Sequence, residues 1–195
     1  MDPKKKDYYY RLAKKRGFVA RSAFKLEALD QKYRLFNQGY RVLDLGAAPG
    51  SWVQYVAPIV KERGLIVAID LMPIELPFID YVKCIQEDIE VYPFHSLVSE
   101  HGRFHVVISD VAPQTTGQRE ADHDASLKLC NRVFDIALES LKSGGSFVCK
   151  MYQGEGTKGF LDRLKPHFNL AKVQKPGASR SESREVFLVG IKFKR

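Results

Sequence analysis

The segment Tyr40–Gly50, with the sequence YRVLDLGAAPG, constrains the fold of this chain more than any other stretch. Its first half is a short apolar run with β-branched content, which is typical of a buried parallel strand. Its second half is a turn in which Gly46 and Gly50 permit backbone angles closed to other residues, so a ligand can approach the main chain. A helical pattern begins at Ser51. Strand, tight turn and helix together predict a nucleotide-type cradle.

The residues of the turn discriminate between the common occupants of such a cradle. A dinucleotide fingerprint in this register requires glycine at positions 46, 48 and 51, but the chain has Gly46, Ala48 and Ser51. A P-loop fails because no Lys-Ser or Lys-Thr follows the turn. The remaining common occupant is S-adenosylmethionine (AdoMet), whose cationic amino group Asp44 can face directly or through water. A plain βα turn with a buried polar cap stays open as the alternative.

The net charge of +8 is concentrated near the N-terminus. Residues 1–34 hold eleven Lys and Arg against four acids, whereas the rest of the chain is nearly neutral. Tyrosines 8 to 10 are interleaved with these charges, which suits phosphate contacts and base stacking and predicts an RNA partner. A solvated, solubilising tail is the alternative. The predicted RNA contacts are Arg11, Lys14, Lys15, Arg16 and Arg21.

Length and composition exclude several classes of protein. The 195 residues suffice for one α/β domain, and no apolar run approaches the ~18 residues of a membrane span. The N-terminus has no apolar leader, so we expect a cytoplasmic protein. Cys84, Cys130 and Cys149 are predicted to be buried free thiols in a reducing compartment. Histidines and cysteines show no metal-ligand spacing, no metal is expected, and His123 is assigned to a solvated helix start.

Alternating patterns predict a mostly parallel sheet between helices. Pro58 should kink the first core helix or shift its limits. A loop joins the last two strands, which predicts one antiparallel strand. Helices are predicted at 5–16, after an N-cap at Ser22, from Ser51, at 124–141 and at 156–166; strands are predicted at 42–45, 65–69, 81–86, 104–109, 146–149, 168–174 and 186–191.

Ionisable residues stand where these predicted elements begin or end. In an open α/β sheet, ligands bind at the carboxyl ends of the strands. Asp70 is placed there to bind ribose hydroxyls, and Asp88 can accept from an adenine amino group while Ile89 packs on the ring, although a helix N-cap is the alternative for Asp88. Four further residues occupy such positions: Lys25, Asp110, Lys150 and Glu185.

Five motifs in this order resemble the FtsJ/RrmJ family of ribose 2′-O-methyltransferases, and the resemblance covers nearly the whole chain. They read ARSAFKL (20–26), LDLGAAPGSW (43–52), SDVAP (109–113), GGSFVCKMYQGEG (144–156) and SRSESREVFLV (179–189). The resemblance implies an α/β, Rossmann-like AdoMet-dependent methyltransferase fold. Its seven-stranded sheet is mostly parallel, with an antiparallel last strand and helices on both faces. One domain is expected, with a basic RNA-binding extension over 1–37 and a catalytic core over 38–195.

The resemblance also implies a cofactor and a substrate. AdoMet would contact Gly46, Gly50 and Trp52 in the first turn, with Asp110 near its methionine end. In its short length and in the motif GGSFVCKMYQGEG, the chain is most similar to the enzymes that methylate a uridine of 23S rRNA. The expected partner is then the assembled 50S subunit. We expect a monomer with a role in ribosome biogenesis.

The reaction requires removal of a proton from a ribose hydroxyl, and Lys150 is the hypothetical general base. A neutral lysine is needed, and both the nearby cation Lys25 and partial burial should lower its pKa, although Asp110 opposes this. Asp110 would steer the amine, and Glu185 would orient Lys25 or the hydroxyl.

Three other functions are weighed against this one. An NAD-linked oxidoreductase would account for Asp70, but this chain lacks the glycines that a dinucleotide site needs at positions 48 and 51. A tRNA ribose 2′-O-methyltransferase differs only in substrate. A non-catalytic RNA-binding ribosome-assembly factor would keep the fold with a vestigial pocket.

Overall fold

Strands alternate with helices along the computed structural model, which describes residues 3–177 and 183–195, with side chains from residue 8 onward. Residues 178–182, within the last predicted motif, lie outside these ranges. The strands are β1 (Arg41–Leu45), β2 (Leu65–Asp70), β3 (Val82–Gln86), β4 (Phe104–Ser109), β5 (Leu141–Tyr152), β6 (Phe168–Gln174) and β7 (Glu185–Phe193). The helices are α1 (Pro3–Arg16), α2 (Ala23–Tyr33), α3 (Ser51–Val60), α4 (Phe94–His101), α5 (Arg119–Ser140) and α6 (Thr157–Leu164).

The seven strands form one sheet in the order β3-β2-β1-β4-β5-β7-β6. β1 to β5 run parallel, while β7 is antiparallel to both β5 and β6. The predicted fold class is therefore confirmed, including the antiparallel last strand. The strand order reverses between β1 and β4, and the carboxyl ends of strands at such a switch point are where open α/β sheets bind ligands.

Hydrophobic side chains cover both faces of the sheet. On one face, α2 and α3 pack through residues such as Leu26, Leu29 and Trp52. On the other face, α4, α5 and α6 surround Phe134 and Phe147. Helices on both faces were predicted and are confirmed. In the described part of the chain, no helix combines the length and apolar character that a membrane crossing requires.

Asp30 fixes the end of α2 against the body of the protein. Its Oδ1 accepts hydrogen bonds from the amides of Leu35 (2.7 Å) and Phe36 (3.2 Å), and its Oδ2 accepts one from the Tyr55 hydroxyl at 2.8 Å. Leu35 and Phe36 are buried in the same cluster as α3. Residues 23–36 thus belong structurally to the folded body that carries the sheet.

Two local features of the helices differ from expectation. Ser22 is the N-cap residue of α2 as predicted, but its side chain makes no capping hydrogen bond, because its hydroxyl hydrogen-bonds to Ser51 Oγ at 2.7 Å instead. Helix α4 was not predicted, since its eight residues are too short for a clear period. Pro58 lies inside α3, which ends at Val60, so the proline falls in the last turn, where it interrupts little of the helix.

Two side-chain predictions also need correction. Cys84 is exposed on the edge strand β3, whereas Cys130 and Cys149 are buried free thiols as predicted. His123 does not lie at a solvated helix start, because it is 4% exposed and hydrogen-bonded on both ring nitrogens. Among the described residues, no three His, Cys, Asp or Glu side chains gather as a metal site would require.

We expect Asp30→Ala to lower the free energy of unfolding by ~2–3 kcal/mol, because two amides and a hydroxyl lose a charged acceptor. Chemical denaturation monitored by circular dichroism measures this change. Asp80→Ala is the matched control, since Asp80 is exposed and should change stability by less than ~0.5 kcal/mol. Equal effects of the two substitutions would show that Asp30 does not hold α2 in place.

Candidate active site

Two buried ion pairs meet at the carboxyl edge of the sheet. Lys150 Nζ lies 3.0 Å from Asp110 Oδ1, and Lys25 Nζ lies 2.6 Å from Glu185 Oε2. Lys150 also donates a hydrogen bond to the Asp110 carbonyl. Each lysine is only 6% exposed. The structure therefore brings together the four residues that the sequence placed at element ends.

The strand registers explain why these side chains converge. Ser109 of β4 pairs with Cys149 of β5, so the next residues, Asp110 and Lys150, emerge at the same level. Across the other edge of β5, Tyr152 pairs with Glu185 at the start of β7. Helix α2 packs over this edge and supplies Lys25. Three strands and one helix are thus needed to complete the cluster.

The charges in this cluster hold Lys150 protonated. Burial lowers the pKa of Lys150, but the negative charges of Asp110 and Glu185 outweigh burial, and the net pKa is raised. Burial and Asp110 thus act in the predicted directions, but the predicted net lowering of the Lys150 pKa is wrong for this structure. Burial raises the pKa of Glu185, yet the adjacent Lys25 ammonium outweighs it and the net pKa is lowered.

Asp44 is a buried carboxylate that lacks a partner. It is 1% exposed, and neither of its oxygens has a hydrogen-bond partner among the described residues. Burial raises its pKa well above the usual range, and the charges of Asp110 and Asp70 raise it further. An unpaired buried polar group is costly, and a cationic ligand would satisfy it. The residues present therefore fit a group such as AdoMet, which carries positive charge.

The two glycines of the first turn serve the protein's own packing. Gly46 has φ +75°, and a Cβ there would lie 2.7 Å from the Val111 Cα; Gly50 has φ +103°, and a Cβ there would lie 2.7 Å from the Leu76 side chain. Their amides donate to the carbonyls of Ile69 and Ala47. Protein atoms therefore fill the space beside both α-carbons and accept from both amides. The contact of AdoMet with these two glycines stays a prediction.

Two of the predicted adenosine-binding residues, Asp70 and Asp88, are acids that hydrogen-bond to nearby backbone amides. The Asp70 carboxylate accepts hydrogen bonds from the amides of Ala48 (2.9 Å) and Met72 (2.8 Å), and Asp88 Oδ1 accepts one from the Glu90 amide at 2.9 Å. Each carboxylate retains lone pairs for a ligand. These two acids therefore shape the loops that follow β2 and β3.

Trp52 and Ile89 are core residues rather than exposed contacts. Trp52 is 2% exposed, and its indole N–H donates to the Ser22 carbonyl at 3.1 Å. The contact of AdoMet with Trp52 stays a prediction, and burial of the indole leaves it to the backbone of this residue. Ile89 is 6% exposed and packs in the core. Sequence reasoning missed Leu71 and Met72, which are 63% and 64% exposed directly after Asp70. The sequence pattern that could have revealed them is a pair of apolar residues directly after an acid at the end of a strand.

A polar cavity of about 290 Å³ opens beside the Lys25–Glu185 pair, lined by residues that include Arg21, Thr115 and Arg184. The loop after SDVAP forms one wall. Asp122 holds this loop through hydrogen bonds from the Thr116 amide and hydroxyl, and the first of these is the main reason that the pKa of Asp122 is lowered. No pattern in the sequence predicts this anchoring role of Asp122.

The predicted RNA-binding residues differ in their availability. Lys14 and Lys15 are exposed in the last turn of α1, as is Arg11 one turn earlier. Arg16 donates to both carboxylate oxygens of Glu27, at 3.0 and 2.9 Å. Arg21 lines the polar cavity. In the arm, defined as residues 3–22, Lys14 and Lys15 are thus exposed, whereas Arg16 pairs with Glu27 of α2.

The sheet order, the carboxyl-edge acids and the paired lysines together define a methyltransferase of the AdoMet type. The model of the FtsJ-like methyltransferase family matches residues 18–193, and the chain belongs to that family. A relative from Bdellovibrio bacteriovorus, named Ribosomal RNA large subunit methyltransferase E, is 41% identical and covers 97% of each chain. One of the same name from Anaplasma marginale is 44% identical, over 94% of this chain and 92% of its own.

A solved structure supports the same fold. The crystal structure of a Plasmodium falciparum protein assigned as a ribosomal RNA methyltransferase superimposes with a TM-score of 0.79 and 28% identity. The alignment covers 90% of this chain and 98% of that one. The family predicted from the five motifs is thereby confirmed.

We expect Asp44→Asn to stabilise the protein at pH 8 by ~1–3 kcal/mol while weakening AdoMet binding by ~10-fold or more. Because the pKa of Asp44 is raised in the folded state, the stability associated with its proton is complete below ~pH 3.9 and is lost as the pH rises through the folded pKa. The gain from asparagine should therefore vanish near pH 4.

Thermal unfolding at pH 4 and pH 8, with calorimetric AdoMet titration, measures both effects. Asp80→Asn, at an exposed site, is the control and should change neither. A variant that loses stability at pH 8, or that binds AdoMet as tightly as the wild type, would refute this role of Asp44.

Proposed function

We propose that this protein transfers a methyl group from AdoMet to a ribose 2′-hydroxyl of large-subunit rRNA, with a uridine as the target. The observation that carries the proposal is the pair of buried lysine–carboxylate contacts beside the unpartnered Asp44. A site for a cation, at Asp44 and Asp110, and a site for proton transfer, at Lys150, would therefore lie at one edge of the sheet. The names of the relatives support rRNA as the substrate.

AdoMet would supply an activated methyl group on a sulfonium centre. Asp44 and Asp110 would face its positive charge, Asp70 the ribose hydroxyls and Asp88 the adenine amino group. The exposed Leu71 and Met72 give apolar surface for a ring beside Asp70. Gly46, Gly50, Trp52 and Ile89 would contribute through the shape of the turn and the core beneath it.

Lys150 would accept the proton of the 2′-hydroxyl after losing its own. In the structure its pKa is raised because Asp110 and Glu185 outweigh burial. Positive charge bound at Asp110 would cancel part of that effect, and burial would then lower the pKa. Asp110 would hold the amine in place, while Glu185 would orient Lys25 toward the hydroxyl. Metal is not needed for any of these steps.

The proposal also covers the RNA contacts of the arm, the oligomeric state and the place of action. The arm, including Arg21, would bind phosphates of the rRNA, and the remaining chain would form the catalytic core. We propose that a monomer acts in the cytoplasm on the assembled 50S subunit, in ribosome biogenesis. A tRNA substrate would require only a different fit around the polar cavity.

Methyl transfer from labelled AdoMet to undermethylated 50S subunits, free rRNA and tRNA, with the labelled nucleotide mapped, tests the function. We expect a 2′-O-methyl ribose in large-subunit rRNA. Label in tRNA would replace the substrate. Tight AdoMet binding with no label in any RNA would overturn the enzyme assignment in favour of an assembly factor.

Lys150→Ala should lower the transfer rate at least ~100-fold, because the proton acceptor is lost. The wild-type rate should rise with pH between 7 and 9, since only neutral Lys150 can accept the proton and the pKa of a free lysine is ~10.4. Single-turnover rates measure both effects. AdoMet affinity should not fall, and Lys128→Ala, at an exposed position of α5, should keep wild-type activity. Near-normal turnover in Lys150→Ala would exclude Lys150 as the base.

Lys14→Gln/Lys15→Gln should weaken RNA binding and reduce the slope of log Kd against log salt by ~1.5 units, because each phosphate contact contributes ~0.7–0.9. Fluorescence anisotropy with labelled rRNA fragments measures the slope. The control Lys158→Gln/Lys165→Gln has the same charge change, but both lysines pair with Asp162. An unchanged slope in the arm variant would show that the arm only solubilises the protein.

A further inference from the structure

Tyr152 is the single aromatic side chain among the described residues that line the polar cavity. It is half-buried at the end of β5. In a strand, residues two positions apart point to the same face, so Tyr152 shares its face with Lys150. Its strand partner is Glu185, which carries the second ion pair. The ring therefore stands beside both halves of the catalytic cluster.

The backbone of Tyr152 is held on both sides by helix α5. The Tyr152 amide donates to Ser126 Oγ at 3.0 Å, and its carbonyl accepts from His123 Nδ1 at 2.7 Å. Ser126 and His123 are 2% and 4% exposed, so buried side chains make both contacts. His123 Nε2 in turn accepts from the Gly156 amide at 3.0 Å. Such fixed backbone at a strand end keeps the side chain in one place.

Hydrogen bonds within the described part of the protein hold only the backbone of Tyr152. Its ring has no aromatic neighbour there, and its hydroxyl makes no hydrogen bond to any described residue. Other tyrosines do have such partners, as Tyr40 stacks on His105 with ring centroids 4.3 Å apart. A half-buried ring on a fixed backbone at the wall of an open cavity is suited to an external planar group.

We propose that Tyr152 is the platform on which the base of the target nucleotide stacks, an inference that rests on the proposed ribose methylation. RNA bases that are splayed out of a helix stack on aromatic side chains. The cavity volume is near the lower end of small-ligand sites, ~300 Å³, which suits one nucleotide. Arg21 and Arg184 supply positive charge for its phosphates. A base on Tyr152 would direct its ribose toward Lys150.

Kinetics with undermethylated 50S subunits test the platform. Tyr152→Leu should raise the KM for RNA ~10-fold, as expected for one lost base stack, and Tyr152→Phe should stay within twofold of the wild type. The AdoMet Kd should not change in either variant. Tyr33→Leu is the matched control, since Tyr33 is also half-buried but ends helix α2 and does not line the polar cavity.

Titration with uridine 5′-monophosphate separates this inference from the function it rests on. In NMR spectra of the full chain, the Tyr152 ring signals should shift upfield, while those of Tyr33 stay fixed. A KM for Tyr152→Leu within twofold of the wild type, or a missing ring shift, would overturn the platform. If the wild type methylates no RNA, the proposed function fails, and the ring shift alone decides whether a nucleotide stacks here.

Discussion

The contact between Lys150 and Asp110 depends on the parallel register of β4 and β5, and the rest of the site depends on that contact. A buried ion pair is weak support for stability, because removing two charges from water offsets much of their attraction. The Lys150–Asp110 pair matters here because it concentrates charged groups at one edge of the sheet. Three carboxylates, those of Asp70, Asp110 and Glu185, stand against two buried lysines, and Asp44 adds a buried carboxyl group whose pKa is raised well above its usual range. The cluster has an excess of negative charge, which favours a cationic ligand.

Helix α5 organises the opposite side of the site with three polar residues near its start. Asp122 holds the loop at Thr116, while His123 and Ser126 hold the end of β5. All three are less than 9% exposed, so water competes little for these hydrogen bonds. One helix therefore fixes both a loop wall and the strand that carries Lys150. This arrangement places the site on rigid elements, which is the requirement for accurate positioning of reacting groups.

The fold and the convergence of the four candidate residues could be predicted because both follow from local order along the chain. Period and turn residues locate strand ends, and parallel strands bring those ends to one edge, so Asp110 and Lys150 were found. Roles that depend on distant partners could not be found in this way. Trp52 is buried by contact with α2, and the space at Gly46 is filled by Val111, 65 positions later. The pKa of Lys150 likewise depends on a balance between burial and charge that spacing does not reveal.

The same carboxylate links the proposed methyl donor to the base. Asp110 raises the pKa of Lys150 and also raises that of the buried Asp44. Positive charge beside these acids would relieve the repulsion at Asp44 and weaken the hold of Asp110 on the Lys150 proton. By linkage, loss of that proton would in turn favour binding of the cation. In the proposed mechanism, Lys150 would thus stay protonated without a donor and would become basic only when a methyl group is present to be transferred.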